Sequence, residues 1–127
     1  MFTATTNHIR IEVEPTYVRE QSDPGQGHFF FSYRVRIHNL GSVRVQLLSR
    51  HWIITDGFGK IEEVVGEGVI GQQPVLQPGE KFEYESFCPL ATPTGSMQGT
   101  YTMVGSDGQK WDVQIPLFIL AEPSRYH

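Results

Sequence analysis

One cysteine, Cys88, is present in 127 residues, which excludes a disulfide within the chain and any cysteine-based metal cluster. Positive charge is also scarce. Ten Lys+Arg against fourteen Asp+Glu leave a formal net charge of −4, so the chain lacks the basic field that holds proteins on nucleic acid or anionic lipid. The most apolar stretch, Pro116-Leu117-Phe118-Ile119-Leu120-Ala121, is far short of the ~20 residues a helix needs to cross a bilayer. The start, Met1-Phe2-Thr3-Ala4-Thr5-Thr6-Asn7, lacks the basic-then-apolar order of a secretory signal. None of His8, His28, His38, His51 and His127 pairs at H-x-H or H-x-x-x-H spacing, so no metal site is expected. A capped 3.6-residue apolar stripe is missing throughout, which argues against any substantial helix. These absences describe a soluble, cytoplasmic protein with no expected cofactor, no nucleic-acid partner and no membrane contact.

What is present is a period of two. Phe29, Phe31, Tyr33, Val35 and Ile37 alternate with Ser32, Arg34, Arg36 and His38, the mark of a half-buried strand whose successive side chains leave on opposite faces. Ile9, Ile11 and Val13 alternate with charged residues in the same way, as do Phe82, Tyr84, Ser86 and Cys88, and later Trp111, Val113, Ile115 and Leu117. Turn chemistry separates the runs. Asp56-Gly57 and Asp107-Gly108 suit tight reversals, and Pro78-Gly79 suits a turn with proline second and glycine third. The expectation is one domain over residues 1–127, all-β, an antiparallel β-sandwich of immunoglobulin or fibronectin III type with seven to eight strands. A closed barrel is the alternative. The core spans about residues 6–121, with residues 1–7 and 122–127 as fraying tails.

The run Val45-Gln46-Leu47-Leu48-Ser49-Arg50-His51-Trp52-Ile53-Ile54-Thr55-Asp56 resembles the signature strand of the bacterial ApaG family. The resemblance continues through Glu62-Glu63-Val64-Val65-Gly66-Glu67-Gly68-Val69-Ile70-Gly71-Gln72-Gln73-Pro74 and Leu76-Gln77-Pro78-Gly79-Glu80. It extends through Thr92-Pro93-Thr94-Gly95-Ser96-Met97-Gln98-Gly99 to Tyr101-Thr102-Met103. It implies a stand-alone fibronectin III-like domain. Related domains occur in eukaryotic F-box proteins and in a polymerase delta-interacting protein, which implies protein binding. The family is also linked by name and gene context to cobalt and magnesium resistance and to a neighbouring diadenosine tetraphosphate hydrolase.

Two constellations are candidates for binding. Gly66-Glu67-Gly68-Val69-Ile70-Gly71 matches G-x-G-x-x-G, in which glycines let backbone amides approach a pyrophosphate. The helix and βαβ context of a dinucleotide fold are missing, so the surviving version is an anion-binding nest of loop amides at Gly66, Gly68 and Gly71. Glu62, Glu63 and Glu67 oppose it, and the competing reading is that these glycines serve the turn itself. A β-branched residue at Gly68 is expected to separate the two, removing a nucleotide site while sparing the fold. The second constellation is Arg34, Arg36, Arg44 and Arg50, a basic stripe on one sheet if all four share a face, and otherwise partners for glutamates on adjacent strands. No catalytic grouping stands out. Cys88 follows the apolar phase of its strand, Ser49 and His51 share a face without a nucleophile elbow, and the chain is read as a non-enzyme. The function expected is binding of an unidentified protein partner. Pyrophosphate or nucleotide binding is the alternative, and a soluble role in cobalt or magnesium resistance stands behind both.

Overall fold

The computed structural model describes residues 1–123; the part of the expected C-terminal tail at 124–127 lies outside the described residues. Nine strands follow in order: β1 Phe2–Thr6, β2 Ile9–Tyr17, β3 Phe29–Asn39, β4 Val45–Asp56, β5 Ile61–Glu67, β6 Val75–Leu76, β7 Lys81–Leu90, β8 Thr94–Gly105 and β9 Lys110–Ala121. Two single-turn 3-10 segments, Arg19–Gln21 and Pro24–Gln26, lie between β2 and β3. The strands form two antiparallel sheets, ordered β1-β2-β3-β7 and β5-β4-β8-β9, with β6 on β4. Two separate sheets make this a sandwich and not a closed barrel. The chain crosses between layers after β3, after β6 and after β7.

The alternating positions read from the sequence face inward. Ile9, Ile11 and Val13 meet Phe31, Tyr33, Val35 and Ile37 and the inner faces of β8 and β9, all of them buried. At the centre Trp52 stands edge-on to Tyr33, Tyr101 and Phe118, at centroid separations of 5.4, 6.2 and 5.9 Å. Such edge-to-face rings add about 0.5–1.5 kcal/mol per pair beyond their buried area. The turns match their chemistry. Glu80 donates its amide to the Gln77 carbonyl across Pro78-Gly79 (3.0 Å), and Gly108 donates to Gly105 within the β8–β9 hairpin (3.0 Å).

Two features depart from expectation. The first seven residues contain a strand: Phe2–Thr6 pairs with β2 from Phe2↔Val13 to Thr6↔Ile9, and Phe2 packs its ring on Phe118. The turn is Asn7-His8, both at positive φ (45° and 69°). A two-residue hairpin loop requires that conformation, but it is signalled by Asn-Gly far more often than by Asn-His. The other unforeseen strand, β6, is two residues long and carries no period to detect. Together they raise the count from seven or eight to nine.

A bulge in β4 matters more. The register against β8 slips between Leu47 and Ser49. Val45 and Leu47 are buried before the slip and Trp52 after it, so the inward phase changes from odd to even positions. One extra residue in a strand moves every later side chain to the opposite face. Arg50 thereby turns inward beside Trp52 and Ile54.

The sandwich is shut along one side and open along the other. β9 lies against β1 and β2, and the Gln114 amide donates to Thr6 Oγ1 across that seam (3.1 Å). At the opposite side the edge strands β5 and β7 flank a cleft into the interior.

Candidate functional site

The cleft has a volume of about 430 Å³. Trp52, Ile54 and Met97 form its floor, β5 contributes Glu62 and Val64, and β7 contributes Tyr84, Ser86, Phe87 and Cys88. Val69 and Ile70 cover one end, and Arg50 reaches in from β4.

Arg50 organises that end. Its Nη1 donates to the carbonyl oxygens of Glu67 (3.0 Å) and Gly68 (2.9 Å). Gly66 lies opposite Arg50 in the ladder, and a Cβ there would stand 2.8 Å from Nη1 and 2.9 Å from Nη2. Only glycine lets the guanidinium lie flat across β5. Gly68 is required for a different reason. Its φ is +63°, and a Cβ would come within 2.2 Å of the Gln72 carbonyl oxygen. That close approach lets Val69 drop into the core, where it is buried.

The glycine pattern therefore serves the loop. No helix begins at Val69; Ile70 (φ 42°) and Gly71 (φ 77°) form a tight turn between Val69 and Gln72, closed by hydrogen bonds in both directions (2.8 and 2.9 Å). The Gly68 amide is donated to Leu48 (2.8 Å). Three amides of the segment are thus spent on backbone carbonyls, and the nearby cation faces carbonyl oxygens. This is the arrangement of a folded turn, unlike the convergent free N–H groups of a nest. A β-branched residue at Gly68 cannot spare the fold, so that substitution does not separate binding from structure.

The four arginines do not share a face. Arg34 and Arg36 lie on the outer face of the first sheet, Arg34 opposite Glu14 and Glu85 and Arg36 opposite Glu12 and Glu83. Arg36 pairs with both of its glutamates. Arg44 is exposed in the β3–β4 connection, and Arg50 is inside the cleft. The expected stripe is broken first by the crossing between layers after β3, which puts Arg34 and Arg36 on one sheet and Arg50 on the other, and then by the bulge in β4, which turns Arg50 inward.

Burial holds the thiol and the phenols of the cleft, and the Tyr101 phenol beneath it, neutral. It pushes the Cys88 thiol up to about 11, with a further upward push from the Glu62 carboxylate. Tyr84 and Tyr101 share a buried hydroxyl–hydroxyl hydrogen bond, and burial raises both phenols far above their ordinary range. Tyr33 is raised by burial as well, partly offset by its hydrogen bond with Ser86. A thiol protonated at neutral pH is a poor nucleophile. On the outer face His51 Nε2 meets Glu63 Oε1 at 3.1 Å. Among the described residues no group of three or more His, Cys, Asp or Glu could hold a metal ion.

Sequence reasoning misses Glu62, Tyr84, Ser86 and Tyr101 as companions of Arg50, because no spacing rule joins β4, β5, β7 and β8. One signal is there to be found: Ile61 and Val65 are apolar in the same phase as Glu63 and Glu67, the phase of an exposed face.

Fold and cleft define a small antiparallel β-sandwich whose inter-sheet site opens between two edge strands. The chain belongs to the ApaG domain family, whose model matches residues 19–105. Protein ApaG of Paramagnetospirillum magneticum is 53% identical over 123 residues, 97% of this chain and 95% of that one. Protein ApaG of Anaeromyxobacter dehalogenans is 56% identical over 123 residues, 97% of each chain. A Bordetella pertussis crystal structure bearing the name ApaA is 52% identical and superposes with a TM-score of 0.89, covering 97% of this chain and 98% of that one.

Proposed function

We propose that the protein is a non-enzymatic binding module, of immunoglobulin or fibronectin III type, that takes a protein partner on the open side of its sandwich in the cytoplasm. The observation that carries this reading is the unpaired pair of edges around the cleft. β5 and β7 end their sheets without a further strand, and Ile61, Val65 and Phe87 on them are 63, 74 and 53% exposed. Soluble proteins ordinarily blunt or cover such edges, because free N–H and C=O groups beside apolar side chains invite pairing. The chemistry of the cleft supports binding over catalysis: its thiol and phenols are held protonated, and Arg50 is committed to loop carbonyls. No helix among the described residues is long and apolar enough to cross a membrane.

The test is a quantitative pull-down at native expression, followed by reconstitution with purified components and hydrogen-exchange footprinting. A stoichiometric partner whose footprint covers β5, the cleft or β7 is the expected result. Failure to recover any reproducible partner, or turnover of pyrophosphate or diadenosine tetraphosphate by the purified protein, defeats the reading.

A further inference from the structure

The two open edges differ, and β5 carries the clearer recognition pattern. The ends of its ladder with β4 establish which backbone groups are free. Asp56 donates its amide to Lys60 (3.0 Å) and Gly68 donates to Leu48 (2.8 Å), and hydrogen-bonded pairs alternate along an antiparallel ladder. In the observed register, Glu62, Val64 and Gly66 bond to β4, opposite Ile54, Trp52 and Arg50. The amides and carbonyls of Ile61, Glu63, Val65 and Glu67 therefore point away from β4; the Glu67 carbonyl accepts from Arg50 Nη1, which leaves both groups of Ile61, Glu63 and Val65 and the amide of Glu67 for a partner.

The side chains of the same four residues stand on the outer face of the second sheet, in the order apolar, acidic, apolar, acidic. Ile61 and Val65 are largely exposed. Among the described residues β4 presents Ser49, His51, Ile53 and Thr55 behind them in register, with no Lys or Arg. His51 reaches Glu63 and is the only histidine of that stretch.

We propose that β5 is a β-strand acceptor for an extended segment of the partner protein, one in which every second residue is in turn apolar and Lys or Arg (apolar-x-basic-x), so that both kinds share one face. This rests on the binding-module reading and specifies its edge and the chemistry of its ligand. Backbone pairing to residues 61, 63, 65 and 67 supplies affinity, while alternate side chains supply selectivity. The apolar residues of the incoming strand lie beside Ile61 and Val65, and its cations lie beside Glu63 and Glu67, where opposite charges across a strand pair are favourable. Its remaining side chains turn toward the mouth of the cleft, beside Glu62 and Val64. The same edge of a second copy does not fit. A two-fold pairing of β5 with itself sets Glu63 against Glu63, Glu67 or an apolar residue, and never against a cation.

The test uses the full chain and two synthetic nonapeptides, Val-Thr-Lys-Thr-Val-Thr-Lys-Thr-Val (Val/Lys) and Val-Thr-Glu-Thr-Val-Thr-Glu-Thr-Val (Val/Glu), whose Val and charged residues share one face of the strand, read by amide shifts and hydrogen exchange. The Val/Lys peptide is expected to protect the amides of Ile61, Glu63, Val65 and Glu67, and the Val/Glu peptide to leave them unchanged. Val65→Pro removes one outward N–H without touching the β4 ladder and is expected to weaken binding about tenfold. Glu63→Lys with Glu67→Lys reverses the preference between peptides, and it carries the test if Val65→Pro loses its cooperative unfolding transition. Equal binding of both peptides, absence of binding, protection on β7 in place of β5, or dimerisation through β5 overturns the proposal. The doubly charge-reversed protein also enters the pull-down above. A partner recovered as well by it as by the wild type defeats the β5 assignment alone, and no partner for either protein defeats the binding-module reading.

Discussion

Arg50 and Gly66 form an energetic unit, and a double-mutant cycle should expose it. In Gly66→Ala the new methyl occupies the space of the guanidinium, 2.8 Å from Nη1 and 2.9 Å from Nη2. The obstructing group is the far end of a flexible side chain, so Arg50 swings away instead of the backbone deforming. What is lost is the pair of hydrogen bonds to the Glu67 and Gly68 carbonyls. Charged donors to neutral acceptors are worth about 1.5–3 kcal/mol each when well shielded. These two share one nitrogen and one is exposed, so the pair is expected to total roughly 2 kcal/mol. Arg50→Ala removes the same two bonds and is expected to cost a similar amount. The double variant should cost no more than Arg50→Ala alone, because the methyl then meets empty space and alanine is slightly better than glycine in a strand, by about 0.5 kcal/mol. Urea unfolding of the four proteins measures the coupling, which should approach the full cost of either single change. Additive losses would refute the argument, since they would mean that Gly66 is required by its own backbone.

Other outcomes follow from the same geometry. Phe118→Ala empties the site where the Trp52, Tyr33 and Phe2 rings converge and should cost about 3–5 kcal/mol in denaturant unfolding. Cys88, Tyr33, Tyr84 and Tyr101 all have raised pKa values in the folded chain, so the folded state holds these protons more tightly than the unfolded state. Stability from this source is complete below the ordinary thiol value of 9.0 and is lost as pH rises toward about 11 for Cys88, with the tyrosines extending the loss upward. A denaturation midpoint that falls from pH 9 to 11, less steeply in Cys88→Ala, is the expected record. Titration with pyrophosphate or ATP, with and without Mg²⁺, should give no localised amide shift at Gly66, Gly68 or Gly71, because the neighbouring amides already have acceptors. A millimolar response confined to that loop would reverse this.

Local signals carry much of the fold. Phe31 to Ile37 alternates so strictly that the order of residues alone assigns its inward face, and the Asp107-Gly108 and Pro78-Gly79 turns adopt the forms their residues favour. The hairpin at Asn7-His8 is illegible because a positive-φ histidine leaves no compositional trace. The site is less legible still. The match to G-x-G-x-x-G is real as a string, yet each glycine answers to a separate requirement: Gly66 to a guanidinium, Gly68 to a carbonyl, Gly71 to a turn. The basic stripe fails because β3 and β4 belong to different sheets, a crossing that no local period reveals, and because an unseen bulge turns Arg50 inward.

The sequence by itself determined the all-β class, the main strands and most of the inward set of aromatic residues, since these depend on neighbours one or two positions apart, and it left a sandwich and a closed barrel as the two architectures. Only the tertiary structure decided that the strands form two separate sheets, which edges remain open, that β9 seals one side against β1 and β2, and that Arg50 enters a cleft lined also by Glu62 and Tyr84. Those facts depend on register and on contacts between distant strands. A single extra residue in β4 is enough to turn Arg50 from the outer face to the inner one, while leaving the local hydrophobic pattern almost unaltered.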